Sequence, residues 1–175
     1  NDGMKKGFEV LAKSNKLESL TLRCVKLNDL KFIENHPNLH ELNLLYGSYK
    51  SLESIASLKQ LKRLEISRTR QISNYNFLNK LSNLESLCLE GLSKLDSIPS
   101  LDGLVSLTKI QIDNNSQLKD ITNLNQLRKL ETFLLFYPKE FKSALRKGLT
   151  EQALGILKTN ETIQSTNLWR LMSDQ

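Results

Sequence analysis

The stretch Leu84–Leu107, LESLCLEGLSKLDSIPSLDGLVSL, decides the fold, because the spacing of its leucines changes partway along. Leu84, Leu87 and Leu89 have the L-x-x-L-x-L spacing of a short strand, and from Leu92 onward an aliphatic residue stands at every third position. Side chains alternate between two faces along a strand. In a helix, residues at a strict three-residue spacing lie progressively farther around the surface, because a turn has about 3.6 residues. Since neither element fits the whole stretch, we expect a strand followed by a coil that turns and returns.

The same opening occurs six times along the chain. Its copies begin at Leu17, Leu39, Leu61, Leu84, Leu107 and Leu130, with steps of 22, 22, 23, 23 and 23 residues. Self-similarity at such a period is typical of solenoids, in which stacked repeats bury a continuous core. Six copies exceed the three or so that a shared core needs. The sequence therefore predicts six stacked repeats, each with one strand.

From about Val10 to Leu135 the chain resembles the leucine-rich repeat superfamily. Its 22-residue units are similar to those of bacterial internalin-like proteins, and Leu84–Pro99 is similar to the irregular repeats of plant immune receptors. The resemblance implies an α/β horseshoe with six parallel strands on its concave face, which binds another macromolecule, usually a protein, and it implies no enzymatic activity. Cysteine-rich caps are missing, and the turn asparagine of such repeats occurs once, at Asn115. These departures point away from the secreted members and from internalins.

We expect three parts: an N-terminal cap or partial repeat over residues 1–16, the repeats over 17–137, and a C-terminal helical cap over 138–175. In the last part, Pro138 suits the first turn of a helix through residues 140–147, and Gly148 suits its left-handed end. Thr150 then suits the cap of a second helix that ends near Asn160. A last short helix is expected in 166–175, with Trp169 and Met172 packed on the stack.

The composition favours a soluble chain in a reducing compartment. No apolar run approaches the roughly 20 residues of a membrane span. The repeat register places Cys24 and Cys88 about three strand spacings apart, beyond disulfide reach, so both are expected as free thiols. We therefore expect a cytoplasmic protein, or one in a host cytosol if it is a delivered effector.

The outward positions of the strands and the residue after each strand supply the candidate binding site. In L-x-x-L-x-L-x-x these are the third, fifth, seventh and eighth residues. The candidate partner-binding residues are Arg23, Glu41, Asn43, Tyr46, Arg63, Glu65, Arg68, Cys88, Glu90, Lys109, Asp113, Phe136 and Tyr137. Across this face four cations balance four anions. A groove for nucleic acid would need a cationic excess, so a neutral surface favours a folded protein as the partner.

Two alternatives stay open on this face. Leu134, Phe136 and Tyr137 either add apolar area to the binding surface or are covered by the C-terminal helices, since large exposed apolar patches are rare. The charged residues either contact the partner or pair across neighbouring strands, with Arg63, Glu65 and Arg68 laddering against Glu41 and Glu90. Both interpretations of the charges are compatible.

The net charge of +6 must lie outside this face. Much of it is in the C-terminal part, at Arg128, Lys129, Lys139, Lys142, Arg146, Lys147 and Lys158. A solvated helical flank is the simpler interpretation, and an anionic-surface binder for nucleic acid or membrane is the alternative function. A strong fall of affinity with added salt would favour that alternative.

Residue patterns for catalysis, metals and cofactors are weak. His36 and His40 are separated by Pro37, which obstructs the helical i, i+4 geometry of a paired metal site. Cys88 lies beside Glu90, an anion that disfavours a thiolate nucleophile. The seven glycines are scattered and form no phosphate-binding loop. We expect no metal, no cofactor and no enzyme activity.

The sequence thus predicts a non-catalytic protein-recognition module, expected to be a monomer or a weak dimer. A bacterial effector domain, a toxin-neutralising immunity protein and a receptor fragment all fit this class. The sequence does not identify the partner.

Overall fold

A computed structural model describes residues 2–14, 16–34 and 36–168, with side chains from residue 7 onward within these ranges. The helices and strands, in chain order, are α1 (Asp2–Ala12), β1 (Ser19–Arg23), β2 (Lys26–Leu27), β3 (Glu41–Leu45), β4 (Ser48–Tyr49), β5 (Arg63–Ser67), β6 (Ser86–Glu90), β7 (Lys109–Asp113), β8 (Thr132–Phe136), α2 (Ser143–Thr159) and β9 (Ser165–Thr166). Short 3-10 helices lie at Lys31–Ile33, Glu53–Ser57, Asn76–Lys80 and Thr122–Gln126.

The main sheet is parallel throughout and has the strand order β1-β3-β5-β6-β7-β8-β9. Its first six members are the six predicted strands, which are confirmed, and the two-residue β9 adds a seventh that the repeat pattern did not indicate. β2 and β4 form a separate two-stranded sheet just beyond the ends of β1 and β3. The predicted leucine-rich repeat solenoid is therefore the observed fold.

The leucines of the repeat stack in register across the sheet. Leu42 is aligned with Leu64, Leu64 with Leu87, and Leu87 with Ile110. All four are at most 2% exposed, and burying such a side chain contributes roughly 1.5–3 kcal/mol of transfer free energy. In four of the six repeats the other, convex side of this core is closed by a 3-10 helix, whereas the repeat that begins at Leu84 has turns there. The alternation of buried and outward residues along the strands fixes which side chains form the concave face.

α1 covers the N-terminal end of the stack. The rings of Phe8 and Phe32 lie 4.9 Å apart, centroid to centroid, and join α1 to the first 3-10 helix. The buried His36 donates a hydrogen bond from Nε2 to the carbonyl of Leu11, at 2.8 Å. This histidine therefore fixes α1 to the first repeat.

At the C-terminal end the predicted pair of helices is wrong, because one continuous helix, α2, runs from Ser143 to Thr159. Gly148 lies inside it and does not have a positive φ. Leu149, Ala153 and Ile156 are buried along its inner side. Burial of this continuous apolar side offsets the cost of about 1 kcal/mol for glycine in a helix interior. The predicted end near Asn160 is correct, since Asn160 is the C-cap.

The last repeat is closed by Asn167, whose side chain accepts a hydrogen bond from the Leu135 N–H and donates one to the Leu135 carbonyl. Thr166 belongs to β9, so the expected terminal helix does not begin there. Trp169 and Met172, expected to pack on the stack, lie outside the described residues. Among the helices of the described ranges, none is both long enough and apolar enough to cross a bilayer.

Candidate functional site

The concave face consists of four rows of side chains that run across the strands. The first row is Ser19, Glu41, Arg63, Ser86, Lys109 and Thr132; the second is Thr21, Asn43, Glu65, Cys88, Gln111 and Leu134; the third is Arg23, Leu45, Ser67, Glu90, Asp113 and Phe136. The fourth row, here called the rim row, contains the residues that follow the strands: Cys24, Tyr46, Arg68, Gly91, Asn114 and Tyr137. All the candidate residues predicted from the sequence lie in these rows.

The rim row has an unusual backbone conformation. Its first five residues have φ between 50° and 59°, although only Gly91 is a glycine. For an ordinary residue this left-handed conformation costs roughly 1–2 kcal/mol. Each of these residues donates its backbone N–H to the carbonyl of the next repeat, at 2.7 to 2.9 Å. These repeated hydrogen bonds fix the backbone of the rim row at the ends of the strands.

Two of the predicted cross-strand ion pairs are present. Arg63 donates from Nη2 and Nε to Glu41 Oε2, at 2.7 and 3.2 Å. Arg68 Nε lies 3.0 Å from Glu90 Oε1, and the Ser67 hydroxyl donates to the other oxygen of Glu90. Glu65, the remaining member of the expected ladder, forms no ion pair within the described part of the chain. The ladder is thus two separate pairs on either side of an unpaired carboxylate.

Glu65 and Asp113, on the outward side of β5 and β7, form no ion pair within the described residues and are here called, with Glu90 between them, the acidic centre. Burial, followed by the charges of Glu90 and Glu41, raises the pKa of Glu65. Burial and the charge of Glu90 likewise raise the pKa of Asp113. Glu41 differs, because its hydrogen bonds from Arg63, and secondarily from Asn43, lower its pKa. The four cations and four anions of the face are therefore not evenly mixed.

Cys88 lies in this acidic centre and is a poor nucleophile. Burial, then the charges of Glu65, Glu90 and Asp113, raises the pKa of its thiol to about 12. Reactive thiols have a lowered pKa, since the thiolate is the attacking species. Cys88 and Cys24 are both free cysteines, as the register predicts.

The sequence predicts that His36 and His40 do not form a metal site. His36 is buried against α1 and bonded to a backbone carbonyl, so it acts as a structural residue. Within residues 7–14, 16–34 and 36–168 there is no cluster of three or more histidine, cysteine, aspartate or glutamate side chains suited to a metal ion.

Tyr46 is an exposed aromatic residue near the N-terminal end of the face, with 47% of its surface accessible. The guanidinium of Arg23 lies 5.2 Å from the centre of its ring, and that of Arg68 lies 5.6 Å away. Such cation–π contacts hold all three side chains in place. The result is an ordered cluster of one aromatic and two arginines.

The aromatic residues at the C-terminal end of the face have different environments. Tyr137 is covered by the C-terminal cap: its ring stacks on Phe141 at 5.9 Å, and its hydroxyl is hydrogen-bonded to the Thr150 hydroxyl at 2.8 Å. Phe136 remains 41% exposed, beside the half-buried Leu134. Tyr137 is therefore covered by the C-terminal cap, whereas Phe136 stays exposed to solvent.

Arg70 and Thr69, which sequence reasoning did not select, lie beside the rim row. Arg70 is aligned with Ser48, which is aligned in turn with Lys26. Lys26, Ser48 and Arg70 follow one another at steps of 22 residues, so the repeat period could have identified them as a further row next to the rim row.

The basic C-terminal flank is partly occupied by contacts within the cap. The Arg146 guanidinium lies 5.2 Å from the centre of the Tyr137 ring and donates a hydrogen bond to the Pro138 carbonyl. Lys147 lies 4.0 Å from Glu151. The arrangement is that of a solvated helical surface, which was the simpler of the two interpretations.

Comparisons with known proteins identify the fold. No family model and no curated protein sequence matches the chain. A solved leucine-rich repeat protein of Leptospira interrogans superposes with a TM-score of 0.66 at 21% identity, over 87% of this chain and 38% of its own. Internalin C2 of Listeria monocytogenes aligns at 16% identity and a TM-score of 0.44, over 86% and 80% of the two chains. Internalin F of the same species aligns at 19% identity and a TM-score of 0.46, over 90% and 62%.

Proposed function

We propose that this chain, which has the leucine-rich repeat fold, is a non-catalytic recognition module that binds another protein through its concave face. The Leptospira protein supports the fold alone, and the present chain spans only 38% of its length. The function is therefore argued from the surface of this chain.

The observation that carries the proposal is the exposure of aromatic side chains on a rigid sheet. Tyr46 and Phe136 are 47% and 41% exposed, although most large apolar residues of this fold are buried. Tyrosine, other aromatics and arginine are the residue types that anchor protein interfaces, and Tyr46 is flanked by Arg23 and Arg68. The sheet holds these anchors in place, which lowers the entropic cost of binding.

Charge also favours a protein partner. Two ion pairs and an acidic centre make a mixed surface on which a polyanion would meet Glu65 and Asp113. A folded protein can present both signs of charge to such a surface. The anionic-surface alternative through the C-terminal flank stays a prediction; in that flank Arg146 already contacts the Tyr137 ring, and Lys147 lies near Glu151.

The proposal includes a reducing location, a cytoplasm or a host cytosol, because both cysteines are free. An effector domain, an immunity protein and a receptor fragment remain compatible with it. The subfamily resemblance to internalins or plant receptors stays a prediction as well.

Capture of partners from a lysate of the source organism tests the proposal. The variant carries Arg63→Glu and Lys109→Glu, two exposed cations of the first row. We expect it to lose the captured protein, because reversal of two charges places repulsion within the interface. The control carries Lys31→Glu and Lys80→Glu in the 3-10 helices, with the same change of net charge, and should capture as the unmodified chain does. Equal capture by both variants would contradict a concave binding site.

A further inference from the structure

An open groove lies along the rim beyond the ends of β3, β5, β6 and β7. It has a volume of about 520 Å³ and lies outside the rows that the sequence identified, apart from its edge. Its lining residues are Tyr46, Arg68, Thr69, Arg70, Gly91, Ser93, Asn114 and Ser116. A volume of this size accommodates several side chains of a partner.

The lining is basic, in contrast to the acidic centre of the neighbouring sheet face. None of the eight lining residues is acidic, and two are arginines. Arg68 is paired with Glu90, whereas Arg70 takes part in no ion pair with any residue of the described ranges. Lys26, in the same row as Arg70, adds a further cation on the N-terminal side. An anionic group entering the groove would thus meet an uncompensated guanidinium.

Arg70 is also held in position by its backbone. Its N–H donates to the Gly47 carbonyl at 2.9 Å, and its own carbonyl accepts from the Tyr49 N–H at 3.2 Å. These two bonds fix the backbone position from which the Arg70 side chain reaches the groove.

Thr69 supplies an independent sign of a ligand. The residue is 3% exposed and lines the groove, and its hydroxyl Oγ1 is hydrogen-bonded to no described residue. A buried hydroxyl without a partner costs roughly 1–3 kcal/mol. In the equivalent position two repeats on, Asn115 satisfies the Leu92 N–H and the Leu89 carbonyl. The threonine does not replace these bonds, so stability within the repeat does not explain its presence.

We infer that this rim groove binds a carboxylate of an acidic segment in the protein partner, with Arg70 as the principal ligand and the Thr69 hydroxyl as a second donor. The Ser93 and Ser116 hydroxyls are further donors along its length. A guanidinium and a carboxylate match in geometry and charge. The inference rests on the proposed protein-binding function and adds the chemistry of the partner.

An acidic peptide fits better than a nucleic acid. The phosphates of a nucleic acid are continuous, and beyond the groove they would meet Glu65, Glu90 and Asp113 in the acidic centre. A peptide can place acidic residues in the groove and neutral or basic residues over that centre. Tyr46 is also the only aromatic residue lining the groove, and its ring is already in contact with two guanidinium groups.

Binding of a fluorescein-labelled hexaglutamate peptide, measured by anisotropy at low salt, tests the inference. We expect saturable binding that Arg70→Ala weakens by at least about tenfold, the size expected when a hydrogen-bonded charge is lost. Arg128→Ala removes the same charge from the C-terminal flank and should leave the affinity unchanged. Thr69→Val should weaken binding while the melting temperature holds or rises, because it removes an unpaired buried hydroxyl without changing the shape.

Three results would overturn the inference: no binding of hexaglutamate to the unmodified chain, equal losses in Arg70→Ala and Arg128→Ala, or equally tight binding of a labelled hexathymidylate. The test is separate from that of the proposed function. Neither Arg63 nor Lys109 lines the groove. If capture depends on Arg63 and Lys109 but hexaglutamate does not bind, the proposal of recognition through the concave face still holds. Only the inference that the partner has an acidic segment is then wrong.

Discussion

Glu41 and Glu65 lie on neighbouring strands of the same face, and their ionisation affects folding in opposite directions. The pKa of Glu41 is lowered by its hydrogen bonds from Arg63, so it contributes stability above its ordinary value of 4.5 and loses it as the pH falls through the folded value. The pKa of Glu65 is raised by burial and by Glu90, so its ionisation destabilises the folded chain at neutral pH.

Glu65→Gln should therefore raise the melting temperature at pH 7, because the variant no longer places a charge in the acidic centre. The gain should vanish at a pH below the ordinary carboxyl pKa of 4.5, where Glu65 is protonated in the folded and unfolded chains alike. Thermal melts at several pH values measure both effects.

Glu41→Gln is the matched control, with the opposite expected sign. It weakens the bonds from Arg63 and should lower the melting temperature at pH 7, with the loss disappearing at low pH. A lower melting temperature for Glu65→Gln at pH 7 would mean that the charge of Glu65 in the acidic centre does not destabilise the folded chain.

The sequence predicted the residues of this face but not their differences. Strand periodicity is enough to place Glu41 and Glu65 on the outer side of the sheet. Which carboxylate pairs with Arg63 depends on the side-chain rotamers in adjacent strands, and a repeat pattern does not contain that information. For the same reason the equal count of charges concealed an acidic centre beside a basic rim.

At the scale of secondary structure, α2 shows where local signals mislead. Gly148 and Thr150 together have the appearance of a helix end followed by a new cap. In the structure the Thr150 hydroxyl instead bonds back to the Arg146 carbonyl, four residues earlier, at 2.8 Å. The apolar inner side of the helix packs against the last repeats, and this tertiary burial overrides the local preference.

Replacement of Gly148 by alanine distinguishes one helix from two. In the single helix an added Cβ at Gly148 meets no atom within 4 Å, so Gly148→Ala should stabilise the chain by about 0.5–1 kcal/mol. This corresponds to an increase of roughly 1–4 °C in melting temperature for a chain of this size. A thermal melt measures this increase in melting temperature.

Gly155→Ala is the control, because Gly155 lies inside a helix in either arrangement and its added Cβ also meets no neighbour. It should stabilise the chain by a similar amount. Destabilisation by Gly148→Ala alone would mean that Gly148 has a left-handed conformation at a helix end, as the sequence had suggested.

At the scale of the whole molecule, the repeat period determined most of the architecture. Every L-x-x-L-x-L copy became a strand, and equivalent leucines align between repeats because the steps of 22 and 23 residues return the chain to the same side. The short β9 and the Asn167 closure at Leu135 were not predicted, since they follow the last repeat and lack its pattern. The rim groove was missed because it combines residues from the ends of several repeats, and each of them is unremarkable alone.

Hydroxyl-radical footprinting of the chain with and without its captured partner shows whether the concave face contacts that protein. Two pairs of exposed apolar residues make the comparison internal: Tyr46 and Phe136 on the concave face, and Val10 and Val105 outside its rows. We expect binding to protect Tyr46 and Phe136 from oxidation and to leave the oxidation of Val10 and Val105 unchanged. Protection of Val10 or Val105, with Tyr46 and Phe136 oxidised as in the free chain, would contradict recognition through the concave face.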